Sequence, residues 1–285
     1  MSKENNETGD PNLSERTAPD SRRLRLRRRL TAGSIALLVA FCALAAWRLL
    51  SPPQPREVFD GLPKHYTYME HIRPSHAELH MMAVSPDDIV LRADRLPLRQ
   101  VPAYGINGGF FYEDSLLSIA VQNDRPVAGQ RGDYGSGWFN AKYARGTLVW
   151  DGAKRTFSVQ VVSSADELRV SDRSRYFAQG GVSLSLSDET KWKKRITDEH
   201  LPFADERRMR SALVYNDAGQ LWLIVTPTMS TAAEFREALL DAVPGTGREG
   251  VFLDGDGSSQ MNAEEIVLPG DERMVVQMIA VSPSE

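Results

Sequence analysis

The chain has 285 residues, 41% of them hydrophobic, with a formal net charge of −4 and one cysteine, Cys42. That length holds one large domain or two small ones. Because Cys42 lies in an N-terminal apolar run, the remainder of the chain has no thiols, which excludes disulfides, thiol catalysis and cysteine metal sites there.

Residues 1–21 are rich in Asn, Glu, Ser, Thr and Pro and are expected to be disordered. Arg22, Arg23, Arg25, Arg27, Arg28 and Arg29 follow as a dense basic cluster, so residues 1–29 read as a disordered, arginine-rich cytoplasmic tail. Leu30–Trp47 is apolar over about the length of a membrane span, placing an anchor at residues 30–50, and the arginines hold its N-terminal flank in the cytoplasm. The reading is a retained anchor with the rest of the chain in the periplasm or outside the cell. Ala43-Leu44-Ala45 resembles a cleavage site and supplies the alternative, a secreted protein freed by signal cleavage. Topology thus accounts for the basic cluster, and nucleic-acid binding is not expected. Residues 51–60, with Pro52, Pro53 and Pro55, form a stiff spacer, and the exported domain is placed at 61–285.

Within that domain the pattern is of strands separated by turns. Glu78–Val84 and Ile89–Ala93 flank Ser-Pro-Asp-Asp and predict a hairpin. Leu116–Gln122 and Pro126–Gly129 flank Asn123-Asp124-Arg125 and predict another. Gly146–Trp150 and Thr156–Val162, around Asp151-Gly152, give a third, and Met209–Tyr215 with Leu221–Thr226 a fourth. The clearest helix is Ala232–Val243, capped by Thr231 with Glu234 completing a capping box, and ended by Pro244-Gly245. Leu221–Thr226, this helix and Val251–Leu253 form a strand–helix–strand unit whose right-handed crossover lays the two strands parallel. The fold class is therefore α+β: a mostly antiparallel or mixed sheet core with a few helices and one crossover, preceded by the transmembrane helix.

Gly250–Asn262, GVFLDGDGSSQMN, delivers Asp254 from a short buried strand onto a turn of alternating Gly and Asp. Gly255 and Gly257 let the backbone fold tightly and gather its N–H groups. Ile106–Phe111, INGGFF, has the same character, and the two loops are read as two walls of one pocket. Asn107-Gly108-Gly109-Phe110-Phe111, Gln179-Gly180-Gly181, Arg210-Ser211-Ala212 and Leu253-Asp254-Gly255 with Gly257-Ser258-Ser259 occur in that order. Together they resemble the phosphodiester glycosidase family, or NAGPA domain, over roughly Glu78–Val281. The chain departs from the family pattern at Val182, where proline is usual, and at Asp256, where glycine is usual. Asp256 adds a carboxylate beside Asp254 that could alter substrate choice, bind a cation or raise a neighbour's pKa.

The resemblance implies hydrolysis of a sugar-1-phosphodiester on an envelope or extracellular glycan. Asp254 is the candidate catalytic carboxylate, with Asp256 and then Glu113 as second candidates. Arg210 is the candidate phosphate ligand, because its planar fork matches two phosphate oxygens; a surface arginine beside Arg207 and Arg208 is the plainer reading. Asn107 either holds a sugar hydroxyl or pins its loop. Gly108, Gly109, Phe110, Gly180, Gly181, Ser211, Gly255, Gly257, Ser258 and Ser259 complete the expected substrate cradle. No cofactor is required, although Asp254 with Asp256 is a candidate calcium or magnesium site. Asp254–Glu265 also scans loosely as an EF-hand, with Ser259 in place of the usual glycine. His76-Ala-Glu78-Leu-His80 has zinc-protease spacing with the glutamate misplaced, and reads as one face of a strand. Trp138 is the tryptophan expected to contact a sugar. The rival from another class is a membrane-tethered carbohydrate- or cation-binding module that has lost the chemistry. The sequence leaves the oligomeric state open.

Overall fold

The structure, a computed structural model, describes residues 38–43, 59, 61–73 and 77–282. The chain divides into two units, Met1–Pro52 and Pro53–Glu285. In the first, residues 38–43 are helical and exposed; the tail expected over 1–29 and the rest of the anchor at 30–50 lie outside the described residues, as does most of the linker at 51–60. Among the described residues no helix is long and apolar enough to cross a membrane.

The second unit is built on three sheets and one short hairpin. The central sheet has six strands in the order β1 (Tyr66–His71), β2 (Leu79–Val84), β14 (Leu221–Ser230), β13 (Arg208–Tyr215), β15 (Glu249–Phe252) and β12 (Val182–Ser183). A second sheet orders β10 (Thr156–Val162), β9 (Arg145–Asp151), β11 (Tyr176–Gly180), β7 (Ala120–Gln122) and β8 (Arg125–Pro126). A third orders β17 (Val267–Leu268), β16 (Met261–Asn262), β4 (Tyr104–Asn107), β18 (Met278–Val281) and β3 (Ile89–Arg92). The hairpin pairs β5 (Phe111–Tyr112) with β6 (Ser115–Leu116). The helices α1 (Trp192–Asp198) and α2 (Ala232–Ala242) belong to this unit.

Period-two alternation sorts the central strands between two cores. Met82, Leu213, Leu223, Val225 and Val251 face the other two sheets, packing with Ile106, Ile279, Leu148 and Trp150. Met81, Ala212, Val214, Trp222, Ile224 and Phe252 face α2, which presents Phe235, Ala238 and Leu239. With both faces covered, these strands read as continuous apolar runs. The α2 capping box forms as expected: the Thr231 side chain accepts from Glu234 N, and the Glu234 carboxylate accepts from Thr231 N at 2.8 Å.

One topological expectation needs correction, and a second holds with a strand interposed. β2 and β3 are not a hairpin, because β2 pairs with β1 and β14 while β3 pairs with β18. The 3-10 turn Pro86–Asp88, capped by Ser85, carries the chain around a corner between sheets. The strand–helix–strand unit exists, but β13 lies between its two strands and pairs antiparallel with both. β14 and β15 therefore run in the same direction without being neighbours, and the strand pairs among the described residues are antiparallel. The Asn123-Asp124 hairpin is as predicted, with φ of 53° and 59° at the two residues, the left-handed pair that matches strand twist in a two-residue loop.

Candidate active site

β15 ends at Phe252, where it pairs with Ala212 of β13. The next backbone bond, from Leu253 N to Ser211 O at 2.9 Å, sets Arg210 level with Asp254. Alternation then puts both side chains on the α2 face of the sheet, with Ala212 and Phe252. The ladder between β13 and β14 jumps at this end, from Arg210 opposite Thr226 to Arg208 opposite Ser230. Pro227 lies in the interval and has no N–H to give.

The two glycine loops meet directly. Asp254 N donates to Gly108 O at 3.2 Å, and the Asn107 amide donates to Asp254 O at 2.8 Å. Asn107 is 1% exposed. Its carbonyl oxygen accepts from Ser211 Oγ at 2.8 Å and from Gln260 N at 3.1 Å. One amide thus ties β4, β13 and both ends of the Asp254 loop together, leaving Asn107 and Ser211 as the frame of the site.

Phe110, Leu201, Pro202, Phe203, Arg208, Arg210, Phe252, Leu253, Asp254, Gly255, Asp256 and Arg273 line a cavity of about 130 Å³ at this junction. Burial pushes the Asp254 carboxyl up to about 7; the Ser258 hydroxyl, the Gly255 N–H and Arg273 pull less strongly the other way, and Asp256 adds a small upward push. Ser258 Oγ is buried and lies outside hydrogen-bonding geometry to any partner, so its influence on the carboxyl is one of proximity.

Arg210 is 4% exposed. Nη2 donates to Phe203 O and Glu206 O at 2.7 and 2.8 Å, and Nε to Ser230 O at 3.2 Å. These partners are carbonyls, so no carboxylate balances the charge through a hydrogen bond, and burial lowers its pKa to about 10. Arg208, by contrast, bridges Glu206 at 2.6 Å and Asp256 at 3.0 Å. Asp271 holds Arg273, raising its pKa.

Asp256 stands at φ 55°, a left-handed position that suits glycine and that aspartate tolerates better than most side chains. Its carboxylate is turned onto Arg208. The Asp254–Asp256 pair is therefore flanked by three guanidinium groups, a poor surrounding for calcium, which takes about six to eight oxygen ligands. The EF-hand alternative is corrected: the loop continues into β16 at Met261–Asn262 rather than a helix, and Glu265 bonds Lys64 and Tyr66.

The remaining expected cradle residues do not line this cavity. A Cβ on Gly181 would collide with Phe252 O, one on Gly180 with Ile119 N, and one on Gly109 with Ser118. These glycines let the three sheets approach. Gly108 gives its carbonyl to Asp254 and its N–H to Gln277 O at 2.9 Å. Gly257 makes room for the Asp271 carboxylate, and its carbonyl accepts from Asp271 N at 3.1 Å, which brings Arg273 to the cavity. Ser259 is buried. Glu113 is exposed on the β5–β6 turn. Trp138 is 1% exposed and donates to Asp166 at 2.8 Å, so the expectation of a sugar contact there is corrected. Arg273 and Phe203 were missed, since neither belongs to a motif and only the fold brings them to Asp254.

A second cluster joins Glu70, Glu78 and His80. His76 lies outside the described residues, and both ring nitrogens of the buried His80 are engaged, by Glu78 at 2.7 Å and Tyr68 OH at 2.6 Å.

No protein-family model matches the chain, and no curated protein matches it. Among solved structures it is similar to the zebrafish N-acetylglucosamine-1-phosphodiester alpha-N-acetylglucosaminidase (NAGPA) catalytic domain auto-inhibited by its pro-peptide. Identity there is 14% and the TM-score 0.54, covering 80% of this chain and 93% of that one. It is also similar to a hypothetical protein from Synechocystis, at 14% identity, TM-score 0.45, covering 76% of this chain and 61% of that one. A putative exported protein from Burkholderia pseudomallei K96243 follows at 15% identity, TM-score 0.34, with coverage of 78% and 58%. The likeness to the first is one of fold. The second unit of this chain is a mostly antiparallel α+β domain with the fold of a NAGPA catalytic domain.

Proposed function

We propose that the domain is a hydrolase of sugar-1-phosphodiesters, presented on a membrane-anchored chain to an envelope or extracellular glycan. The observation that carries this reading is the pairing of a carboxyl poised near neutrality, Asp254, with a buried arginine, Arg210, that lacks a carboxylate partner. A buried guanidinium whose hydrogen bonds go to carbonyls, with Asp256 and Glu206 acting on it only through space, favours an anion such as phosphate. The substrate phosphate sits against Arg210, with Arg208 and Arg273 at the rim.

Water attacks the anomeric carbon and the bond from that carbon to the phosphate oxygen breaks, giving free sugar and a phosphomonoester. The three arginines stabilise the charge that gathers on the departing phosphate. Asp254, ionised, either takes the proton of the attacking water or faces the cationic sugar in the transition state. The departing phosphate needs little general-acid help, so one carboxylate suffices. The scheme assigns no step to a divalent cation.

The test is turnover by the full-length chain on a panel of sugar-1-phosphodiesters, with Asp254→Asn and Arg210→Lys alongside. Asp254→Asn is expected to lose turnover by at least about 100-fold, as for loss of a positioned acid–base group. Arg210→Lys keeps a charge but gives up the bonds from Nε and Nη2 to Ser230, Phe203 and Glu206 carbonyls that aim Nη1 at the phosphate, for a loss of roughly 10–100-fold. A chelator leaves the rates unchanged. Turnover surviving in Asp254→Asn would remove the reading; binding without turnover across the panel would favour the carbohydrate-binding module.

A further inference from the structure

One wall of the cavity is apolar and comes from the segment Leu201-Pro202-Phe203. Phe203 is 55% exposed and has φ 52°, a conformation that costs a bulky residue energy and persists only where surrounding structure imposes it. That structure is present. Arg210 Nη2 holds Phe203 O at 2.7 Å, Ala232 N at the start of α2 holds Ala204 O at 2.8 Å, and Arg145 Nη2 holds His200 O at 3.1 Å. The arginine assigned to the phosphate therefore also fixes the backbone that turns the ring outward. The Arg208 guanidinium lies 4.6 Å from the ring centroid, which covers one face and sets the ring's plane.

We infer that Phe203 is a specificity-determining residue, an aromatic platform against which the apolar C–H face of the substrate's sugar ring stacks while Arg210 holds its phosphate. The inference rests on the proposed function for the identity of the substrate. A sugar ring has an apolar face and a polar rim, and the cavity has that same division. The apolar wall lies at Phe203, and the charged groups at Asp254, Arg208 and Arg210 meet the rim and the phosphate. A single exposed phenylalanine is ordinary on a protein surface. Here it lies at a cavity, its backbone is held in a costly conformation, and its ring is oriented by a cation.

The experiment compares full-length wild type with Phe203→Gly and Phe203→Tyr. Glycine adopts the positive φ freely, so Phe203→Gly removes the ring without asking more of the backbone. For a sugar-1-phosphodiester the expected result is a KM raised about tenfold in Phe203→Gly with kcat within about threefold, as for loss of one aromatic contact. Phe203→Tyr stays within about twofold of wild type, and inhibition by inorganic phosphate is unchanged in both. An unchanged KM would overturn the inference. So would a parallel loss of phosphate inhibition, which would mean that the ring acts only through Arg208. Should wild type turn over none of the panel, the hydrolase reading fails separately and calorimetric binding decides the platform. N-acetylglucosamine 1-phosphate should then bind wild type about tenfold more tightly than inorganic phosphate, with that margin lost in Phe203→Gly. Absence of the margin in wild type, or its survival in the variant, overturns the inference.

Discussion

Asp254→Asn should stabilise the protein above neutral pH while removing its activity. The Asp254 carboxyl titrates at about 7 in the folded chain against an ordinary value of 3.8. A folded pKa raised above the unfolded one means that the folded state holds its proton longer. The stability this contributes is complete below about pH 4 and is lost as pH rises through about 7. At about 1.4 kcal/mol per pH unit over that interval, the cost at pH 8 reaches about 4 kcal/mol as a ceiling. The carboxyl borders a cavity of about 130 Å³ rather than a closed core, so screening brings the expectation to about 2 kcal/mol. For a domain of this size that is a melting temperature about 4–8 °C higher in the variant at pH 8, and no difference at pH 4. Asparagine fills the same space, so packing does not obscure the comparison. Thermal melts of both proteins at half-unit steps from pH 4 to 8 measure it. A pH-independent difference, or a variant less stable at pH 8, would refute the idea that burial of this carboxyl strains the fold.

Asn107→Ala breaks four hydrogen bonds, three of them tying β4 to β13 and the Asp254 loop, and denaturant unfolding should show a loss of about 3 kcal/mol. Gly181→Ala drives a methyl into Phe252 O; it should cost at least about 3 kcal/mol, visible as a lowered melting temperature or failure to accumulate as soluble protein. In wild type, kcat/KM should rise with pH through an inflection near pH 7, because the ionised Asp254 is the working form and its carboxyl titrates at about 7. A profile flat from pH 5 to 9 would show that Asp254 does not titrate in the rate-determining step.

The residues that were legible in the sequence are those whose local pattern carries their role. The α2 capping box, the Asn123-Asp124 turn and the β13–β14 pair all rest on neighbours in the chain. The pairing partners of β2, β3, β14 and β15 do not, because antiparallel strands buried on both faces give the same apolar run whichever strand lies beside them. The two glycine loops were visible as special, but composition does not tell a glycine that meets a ligand from one that lets two strands approach. Gly180 and Gly181 proved to be of the second kind. Trp138 was singled out by its glycine-rich setting, yet its indole is buried against Asp166. Arg273 reaches the cavity only because Gly257 admits Asp271, and Phe203 only because Arg210 holds its carbonyl. Neither is visible until the fold brings these supporting contacts to Asp254.

The central claim is that the cavity cleaves the bond between the anomeric carbon and the phosphate oxygen. The most direct test is turnover of an N-acetylglucosamine-1-phosphodiester by the full-length chain in 18O-labelled water, with both products weighed by mass spectrometry. The account predicts the label on C1 of the released sugar and none on the phosphomonoester, with the reaction absent in Asp254→Asn. Label on the phosphate would mean attack at phosphorus, and would contradict the roles given to Asp254 and Arg210.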